Sequence, residues 1–320
     1  MPRVVDRIIN TSVRQEGDGL PVRRGLPIAD LVHANPFLLV EEVGPVDLTA
    51  AGAVRTAPPR PARGYEELTW MLEGTAMHRR ASGATAVAAA QASWVTVGSG
   101  DLLREEFLAA NTRGIRVWIA LPRSERRVEP RILTVGATTD SLRTVSAGGV
   151  RGKVEVQLIA GSLLSARAPV QPQTRATVAR VTMPADTTLI VAVDSIEPGP
   201  EAPTVLLYGL DGHARVGHLA RAAVGIHPAR ALDEQRVDAH DLAVLRNPVT
   251  APSLRYNDDE VRIRTEPGQA FEFLWLSGFP VGERATEPFV RLGALVLRTE
   301  AETLQALEDF RSGKLGTLGP

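Results

Sequence analysis

Residues 60–76 read RPARGYEELTWMLEGTA. The second half holds a short apolar run at 68–72 that leads into Gly74, and glycine gives the backbone the freedom that a tight turn requires. Short runs that are rich in β-branched and aromatic residues and bounded by turn residues are typical of β-strands. The stretch therefore predicts a strand that enters the turn of a hairpin.

The same type of run recurs along the chain. Examples are FLLV at 37–40, RVWIAL at 116–121, VEVQLI at 154–159, TLIVAV at 188–193 and FEFLWL at 271–276. The 28 glycines and 23 prolines are spread between such runs and are not collected in one linker. This spacing is typical of a β-sandwich or barrel rather than of alternating strands and helices, so we predict a mainly β protein.

One helix is predicted, near the C-terminus. Residues 299–311 begin with Thr299, a residue type that caps helices. Their large apolar side chains, Leu304, Leu307 and Phe310, fall on one face at helical spacing. We interpret this face as packing against the core and not as a surface for a membrane or a partner.

The composition limits the classes of protein. The chain has 320 residues, enough for two domains that each bury a core, and a formal net charge of -1, which argues against a nucleic-acid surface over the whole protein. It has no cysteine, which excludes disulfides and metal ligation through sulfur. Residues 1–15 lack the apolar core of a secretory signal, and no apolar run approaches the roughly 18 residues of a membrane span. We expect a cytoplasmic protein.

Four segments resemble the motifs of a known family. In order, they are NPFLLVEEVGP at 35–45, similar to DPFLLLDHFGP; RPARGYEELTWMLEG at 60–74, similar to HPHRGFETVTYVLEG; TVGSGDLLREE at 96–106, similar to TAGxGIxHSE; and a closing segment at 278–282, 288–290 and 310–313. Their order and spacing hold from about residue 20 to 316. The chain is identified as a divergent member of the pirin family, within the cupin superfamily.

The resemblance implies two tandem cupin barrels, of the double-stranded β-helix or jelly-roll type, with a C-terminal helix. We expect an N-terminal barrel at 1–134, a C-terminal barrel at 135–283, and a tail at 284–320 that returns to the first barrel. In the family, the first barrel holds one metal, usually iron, through three histidines and one glutamate. Some members open the flavonol quercetin with dioxygen, and others regulate a partner protein.

The family's four ligand positions transfer to Arg60, Ala62, Leu103 and Glu105. An arginine side chain cannot lose its proton to ligate a metal, and alanine and leucine carry no donor atom. Glu105 is then the one ligand that remains, and one carboxylate is too few to hold iron. We therefore expect a degenerate metal site with no metal and no cofactor.

The charges beside these positions suggest a replacement for the metal. We hypothesise that Arg60 turns inward and pairs with Glu105, so that a fixed cation stands where the metal stood. Neighbours on a strand alternate between faces, so only one of Glu66 and Glu67, and one of Glu105 and Glu106, should point inward. We expect the outward pair to be solvated and the inward pair to be balanced by arginines at 60, 63 or 104.

The histidines do not suggest another metal site. His33 and His78 are the two in the first half, and neither has a histidine two residues away. The four in the second half, His213, His218, His227 and His240, match no ligand spacing. We expect them to be exposed or hydrogen-bonded.

These observations favour a metal-free, pirin-like protein that acts by binding a small molecule or a regulatory protein, the family's dioxygenase activity having been lost. Two alternatives remain open: a quercetinase-type dioxygenase with a relocated metal site, and a cofactor-independent enzyme. The latter would use Glu105, a weak catalytic candidate, with a pKa raised by burial. Enzymatic activity is thus undecided at this point, and we expect a monomer without membrane or direct nucleic-acid binding.

Overall fold

A computed structural model describes residues 3–17, 19–46, 55–56, 59–81, 83–108, 110–136, 143–149, 152–193, 202–217, 234–246, 259–282 and 289–318. Almost all regular structure in these residues is β, as the apolar runs predict. Among them, no helix is long and apolar enough to cross a membrane.

The strands before residue 137 are β1 (Val4–Asn10), β2 (Val13–Glu16), β3 (Leu20–Leu26), β4 (Phe37–Val46), β5 (Arg55–Thr56), β6 (Arg60–Ala62), β7 (Tyr65–Glu73), β8 (Thr75–Arg80), β9 (Gly83–Ala88), β10 (Ala92–Thr96), β11 (Asp101–Phe107), β12 (Thr112–Ala120) and β13 (Arg131–Val135). Those that follow are β14 (Arg143–Gly149), β15 (Gly152–Ala160), β16 (Ser162–Leu163), β17 (Ala166–Arg167), β18 (Ala176–Met183), β19 (Thr188–Ala192), β20 (Thr204–Val216), β21 (Gln235–Asp238), β22 (Asp241–Arg246), β23 (Glu260–Arg264), β24 (Phe271–Gly278), β25 (Val290–Leu292) and β26 (Leu295–Leu297). The helix α1 spans Glu300–Arg311, and a 3₁₀ turn lies at Arg123–Glu125.

The chain forms two compact units. The N-terminal barrel comprises Ser12–Ser141, Pro172–Thr174 and Pro280–Pro320, and the C-terminal barrel comprises Met1–Thr11, Leu142–Gln171 and Arg175–Phe279. The prediction that residues 1–11 belong to the N-terminal barrel is therefore wrong. Strand β1 pairs antiparallel with β22 at the edge of the sheet of the C-terminal barrel. The buried guanidinium of Arg3 also binds Asp259 there, at 2.8 Å.

Two sheets pack against each other in the N-terminal barrel. The larger has the strand order β13-β10-β7-β12-β4-β3-β2, and the smaller has the order β5-β11-β8-β9, with β6 paired to β11. Apolar side chains from both sheets share buried clusters, for example Leu39 and Trp118 from the larger sheet with Ala62 and Leu103 from the smaller one. The interior between these sheets contains the positions of the family's ligands.

The C-terminal strands of this barrel pack against the ligand-bearing segment. Gly64 has a φ of +91°, and a Cβ at this position would lie 2.0 Å from the carbonyl oxygen of Val296 on β26. The amide of Val296 donates to the carbonyl oxygen of Arg63 at 3.1 Å, and Arg63 binds Asp309 of α1 at 3.0 Å. Glycine is therefore required at position 64 because it permits both the left-handed backbone and this close approach.

The C-terminal barrel has an apolar interior. Its main sheet runs β1-β22-β20-β24-β18-β15-β14, with β19 paired to β23. Its buried cluster consists of aliphatic and aromatic side chains, the largest being Trp275, Phe271 and Phe273. The described part of this barrel thus has a core of packing residues, and the polar interior belongs to the N-terminal barrel.

The helix begins where the sequence predicts, but it packs differently. Thr299 caps it by accepting a hydrogen bond from the amide of Glu302 at 3.1 Å. The helix buries Thr303 and Ala306, whereas Leu304 is 66% exposed and Phe310 is 37% exposed. The predicted apolar packing face is therefore wrong for these two residues, because the helix contacts β25 and β26 through its small side chains and the partly buried Leu307.

Substitution of the helix cap Thr299 should lower the stability of the protein. Thr299→Ala removes the side-chain acceptor for an N-terminal amide of α1, so we expect the free energy of unfolding to fall by about 1 kcal/mol. Thr299→Ser keeps the acceptor and should cost only a small fraction of this. Urea denaturation of the three proteins measures the difference, and equal losses in both variants would contradict a capping role.

Candidate functional site

The four transferred positions lie together in the N-terminal barrel. β6 pairs antiparallel with β11, which places Arg60 opposite Leu103. Ala62 and Leu103 are both buried in one apolar cluster with Tyr65 and Trp118. The positions that hold a metal in the family are thus brought together here, but two of them are filled by aliphatic side chains.

Glu105 is buried, with 2% of its surface exposed, and both carboxylate oxygens are bound. Its Oε2 accepts from Nη1 of Arg116 at 2.9 Å. Its Oε1 lies 3.1 Å from Nε2 of His78 and 3.4 Å from the Thr69 hydroxyl. The carboxylate therefore has a charged partner from the opposite sheet and a histidine partner from the adjacent strand.

The hypothesis that Arg60 pairs with Glu105 is wrong. Arg60 does turn inward, but its Nη2 donates to both carboxylate oxygens of Glu67, at 2.7 and 2.9 Å. Glu105 is two residues beyond the position that faces Arg60 across the strand pair, and Arg116 reaches it from β12. A cation does stand beside the surviving carboxylate, but it comes from a different strand.

Arg116 links Glu105 to a longer series of charges. Its Nη2 binds Glu41 on β4, and Glu41 also accepts from Nε of Arg24 on β3 at 2.9 Å. Arg24 in turn binds Glu16 at 2.6 Å. Carboxylates and guanidinium groups thus alternate across the larger sheet, so every buried charge in this series has a partner of opposite sign.

The electrostatic balance keeps Glu105 ionised. Burial by itself raises the pKa of this carboxyl group, but the charge of Arg116, the hydrogen bond from His78 and the charge of Arg60 lower it further than burial raises it. The net pKa lies well below the usual value for glutamate. This is the opposite of the raised pKa that a general acid at neutral pH requires, so the cofactor-independent role for Glu105 loses its physical basis.

The neighbouring carboxylates are all buried, which differs from the expectation that one of each pair is solvated. Glu66 faces away from Glu67 and is covered: it accepts from Nε1 of Trp94 at 3.0 Å, from the Thr96 hydroxyl at 3.1 Å and from the amide of Gln173 at 3.0 Å. Burial raises the pKa of Glu66, and these hydrogen bonds partly oppose the rise.

The outward-facing Glu106 is held by cations from two strands. It accepts from Nε of Arg79 at 2.9 Å and from Arg104. Of the arginines expected to balance the inward carboxylates, Arg60 does so for Glu67, whereas Arg63 binds the helix α1 instead.

The remaining histidines form no metal site in the described part of the chain. His213 lies 3.5 Å from Glu266, the amide of His240 donates to the carbonyl oxygen of Gly209 at 2.8 Å, and His33 packs edge-on against Phe289. His218 and His227 lie outside the described residues. Among the described residues, no group of three or more histidine, aspartate or glutamate side chains is arranged to hold a metal ion.

The side chains at the transferred positions do not fit the family's metal. Three of the four positions offer no donor atom, and the fourth, Glu105, has its oxygens engaged by Arg116 and His78. A metal ion bound to this carboxylate would lie close to the guanidinium of Arg116, which is hydrogen-bonded to Oε2 of Glu105, and the two positive charges would repel each other.

A cavity of about 460 Å³ lies beside this network, inside the N-terminal barrel. Its polar wall is formed by Arg24, Arg60, Arg116, Arg291, Glu16 and Glu41, and its apolar wall includes Leu20, Leu39, Pro59, Trp118 and Ala294. The ring of Trp118 stacks on Tyr65 with centroids 4.4 Å apart. Of the arginines that bound the cavity, Arg60 stands at a transferred ligand position and Arg116 binds Glu105.

Comparison with known proteins shows that the chain is similar to pirins. Residues 19–119 match the Pirin family profile. The chain is 29% identical to Pirin-1 of Arabidopsis thaliana over 319 residues, which covers 99% of this chain and 96% of that protein. It is 27% identical to human Pirin over 306 residues, covering 95% and 90% of the two chains.

A solved structure, quercetin 2,3-dioxygenase from Acinetobacter baumannii, superposes with a TM-score of 0.78 at 22% identity and covers 99% of both chains. This likeness supports the fold of tandem cupin domains. The matched profile and the relatives that span nearly the whole chain support membership of the pirin family.

Proposed function

We propose that the N-terminal barrel is a metal-free pirin barrel that binds a small molecule, and that the family's dioxygenase chemistry has been lost. The observation that carries the proposal is the contact of Arg116 with Glu105 at 2.9 Å. It gives the remaining family carboxylate a permanent organic cation as its partner, where a relative with the full ligand set would have a metal.

The charge of this arrangement supports the absence of a metal. A divalent ion at Glu105 would stand within a few ångström of the guanidinium, and repulsion at that distance amounts to several kcal/mol even at an effective dielectric constant of about 20. Arg60, at the first ligand position, adds a second positive charge. The ion would also need donors that Ala62 and Leu103 cannot supply.

The cavity supports binding as the retained function. Its volume of about 460 Å³ lies within the range of pockets that take small organic molecules. Its wall combines apolar side chains with a few fixed charged groups, which is the usual composition of such pockets. The cavity favours a small molecule over a partner protein as the ligand of this site.

Metal content tests the proposal directly. Protein purified without an affinity tag should contain far less than one metal ion per chain by elemental analysis, both as purified and after incubation with Fe²⁺, Mn²⁺, Ni²⁺ or Zn²⁺ followed by desalting. The Glu105→Gln variant is the matched control and should give the same values. If the wild type held one equivalent of metal and Glu105→Gln did not, the proposal would be overturned, and a metal-dependent dioxygenase would become the favoured hypothesis.

A further inference from the structure

We infer that the ligand of this cavity is an organic monocarboxylate with an apolar body, and that Arg291 binds its carboxylate group. The inference rests on the proposed small-molecule function and narrows it to one chemical class. It follows from the state of four arginines that line the same cavity.

Three of the four cavity arginines are already neutralised. Arg24 binds Glu41 and Glu16, Arg60 binds Glu67, and Arg116 binds Glu41 and Glu105. The fourth, Arg291 on β25, has no carboxylate within 4 Å among the described residues. Its charge is therefore the one in the cavity wall that lacks a direct counter-charge there.

Arg291 is held in a fixed position by uncharged groups. Its Nε donates to the carbonyl oxygen of Gly293 and its Nη1 to that of Leu38, both at 3.1 Å. The guanidinium lies 5.0 Å from the ring centroid of Trp118. Nη2 donates to no described group, so a guanidinium that is already oriented keeps N–H groups for an acceptor.

The surroundings make a counter-ion favourable. Burial and the nearby charge of Arg24 lower the pKa of Arg291, and the charges of Glu41 and Glu16 only partly oppose this shift. Because an arginine side chain stays protonated in proteins, this unfavourable environment is relieved by an anion and not by loss of the proton. A carboxylate matches the planar guanidinium through two parallel hydrogen bonds.

The other unsatisfied groups of the cavity wall have the same polarity. Among the cavity-lining residues, Arg60 Nε, Arg116 Nε and Trp118 Nε1 are buried without an acceptor. All three are N–H donors, so the wall has an excess of donors over acceptors. A guanidinium without a direct carboxylate partner and three unsatisfied N–H donors favour an anionic oxygen group as the ligand's polar end, and Leu20, Leu39 and Pro59 provide contact for an apolar body.

A matched pair of probes tests the inference. Binding of 1-naphthoate and of 1-naphthamide, which has nearly the same shape without the charge, can be measured by isothermal titration calorimetry at low and high salt. We expect the carboxylate to bind at least about tenfold more tightly than the amide, because hydrogen bonds between charged groups are stronger than neutral ones. Salt should weaken binding of the carboxylate only.

Variants assign the preference to Arg291. Arg291→Gln should remove the preference for the carboxylate, Arg291→Lys should keep part of it, and Arg246→Gln, an exposed arginine of the other barrel, should leave it unchanged. The thermal midpoint of each variant verifies that it is folded.

Three outcomes would overturn the inference. Equal affinity for acid and amide would do so while leaving small-molecule binding intact, and a preference that persists in folded Arg291→Gln would exclude Arg291 as the anchor. If neither probe bound at millimolar concentration, monocarboxylates with an apolar body would be excluded as the ligand class. Failure of the proposed function is distinct, because it is detected as retained metal.

Discussion

A protein that combines Arg60→His, Ala62→His, Leu103→His and Arg116→Gln is expected to bind one divalent metal ion per chain. The three histidines would place donors close together, because Ala62 and Leu103 share one buried cluster and Arg60 lies opposite Leu103 across the pair of β6 and β11. Arg116→Gln frees the carboxylate of Glu105 and removes the nearest positive charge, while Glu41 keeps Arg24 as its partner. Three neutral imidazoles and one carboxylate suit a divalent transition metal.

The contribution of Arg116 can be isolated. The triple histidine variant that retains Arg116 should bind the same ion at least about a hundredfold more weakly, because repulsion of several kcal/mol corresponds to two or more powers of ten in affinity. Adding Glu105→Gln to the quadruple variant should abolish tight binding, since it removes the anionic ligand. Titration with Ni²⁺, followed by calorimetry and by the visible spectrum, measures all three proteins.

The outcome also tests the transfer of the family's positions to this chain. A quadruple variant that is folded, by circular dichroism and thermal midpoint, but binds no metal would show that these residues do not form the family's site. Equal affinity with and without Arg116 would show that the guanidinium has no part in excluding the metal.

Local sequence patterns were sufficient to predict the strand class and the helix. Alternating apolar runs bounded by glycine and proline specify strands because burial and turn chemistry are local properties. The resemblance then placed Arg60, Ala62, Leu103 and Glu105 in one barrel, and the register of β6 with β11 brings them together.

Contacts between distant strands could not be predicted in the same way. Arg116 stands 11 residues from Glu105 on another sheet, and His78 stands opposite Glu105 only because of the register of β8 with β11. One signal was available: Arg116 opens an apolar run and shares its strand face with the buried Trp118, and a charge at such a position needs a buried partner. The sequence does not identify that partner.

The two remaining differences have the same cause. The pairing of β1 with β22 joins residues more than 200 positions apart, and no local pattern specifies which sheet edge a terminal strand joins. The exposure of Leu304 and Phe310 depends on which face of α1 meets β25 and β26. Helical spacing shows that these residues share a face but does not show that the face is covered.

Arg116→Met is expected to lower the free energy of unfolding by about 3–5 kcal/mol at pH 7, because it leaves the buried carboxylate of Glu105 without its charged partner. Double substitution, Arg116→Met with Glu105→Gln, should recover most of this loss, since it removes the uncompensated charge as well. Arg246→Met is the control: it breaks an exposed pair with Asp6 and should cost less than about 1 kcal/mol. Denaturation in urea can be followed by tryptophan fluorescence, which reports mainly on the N-terminal barrel because Trp70, Trp94 and Trp118 belong to it and only Trp275 to the other.

The substitution Arg116→Met should also reverse the sign of the contribution that Glu105 makes to the pH dependence of the free energy of unfolding. In the wild type the pKa of Glu105 is below its unfolded value of about 4.3, so its stabilisation is complete above that pH and is lost as the pH falls towards the folded pKa. Without Arg116, burial should raise the pKa of Glu105 above the unfolded value, so acidification from pH 7.5 to about 5 should stabilise the variant relative to the wild type. Glu66, whose pKa burial raises in both proteins, cancels in this difference. A loss no larger than that of Arg246→Met, or parallel pH profiles for the variant and the wild type, would show that Arg116 does not hold Glu105 in its ionised state.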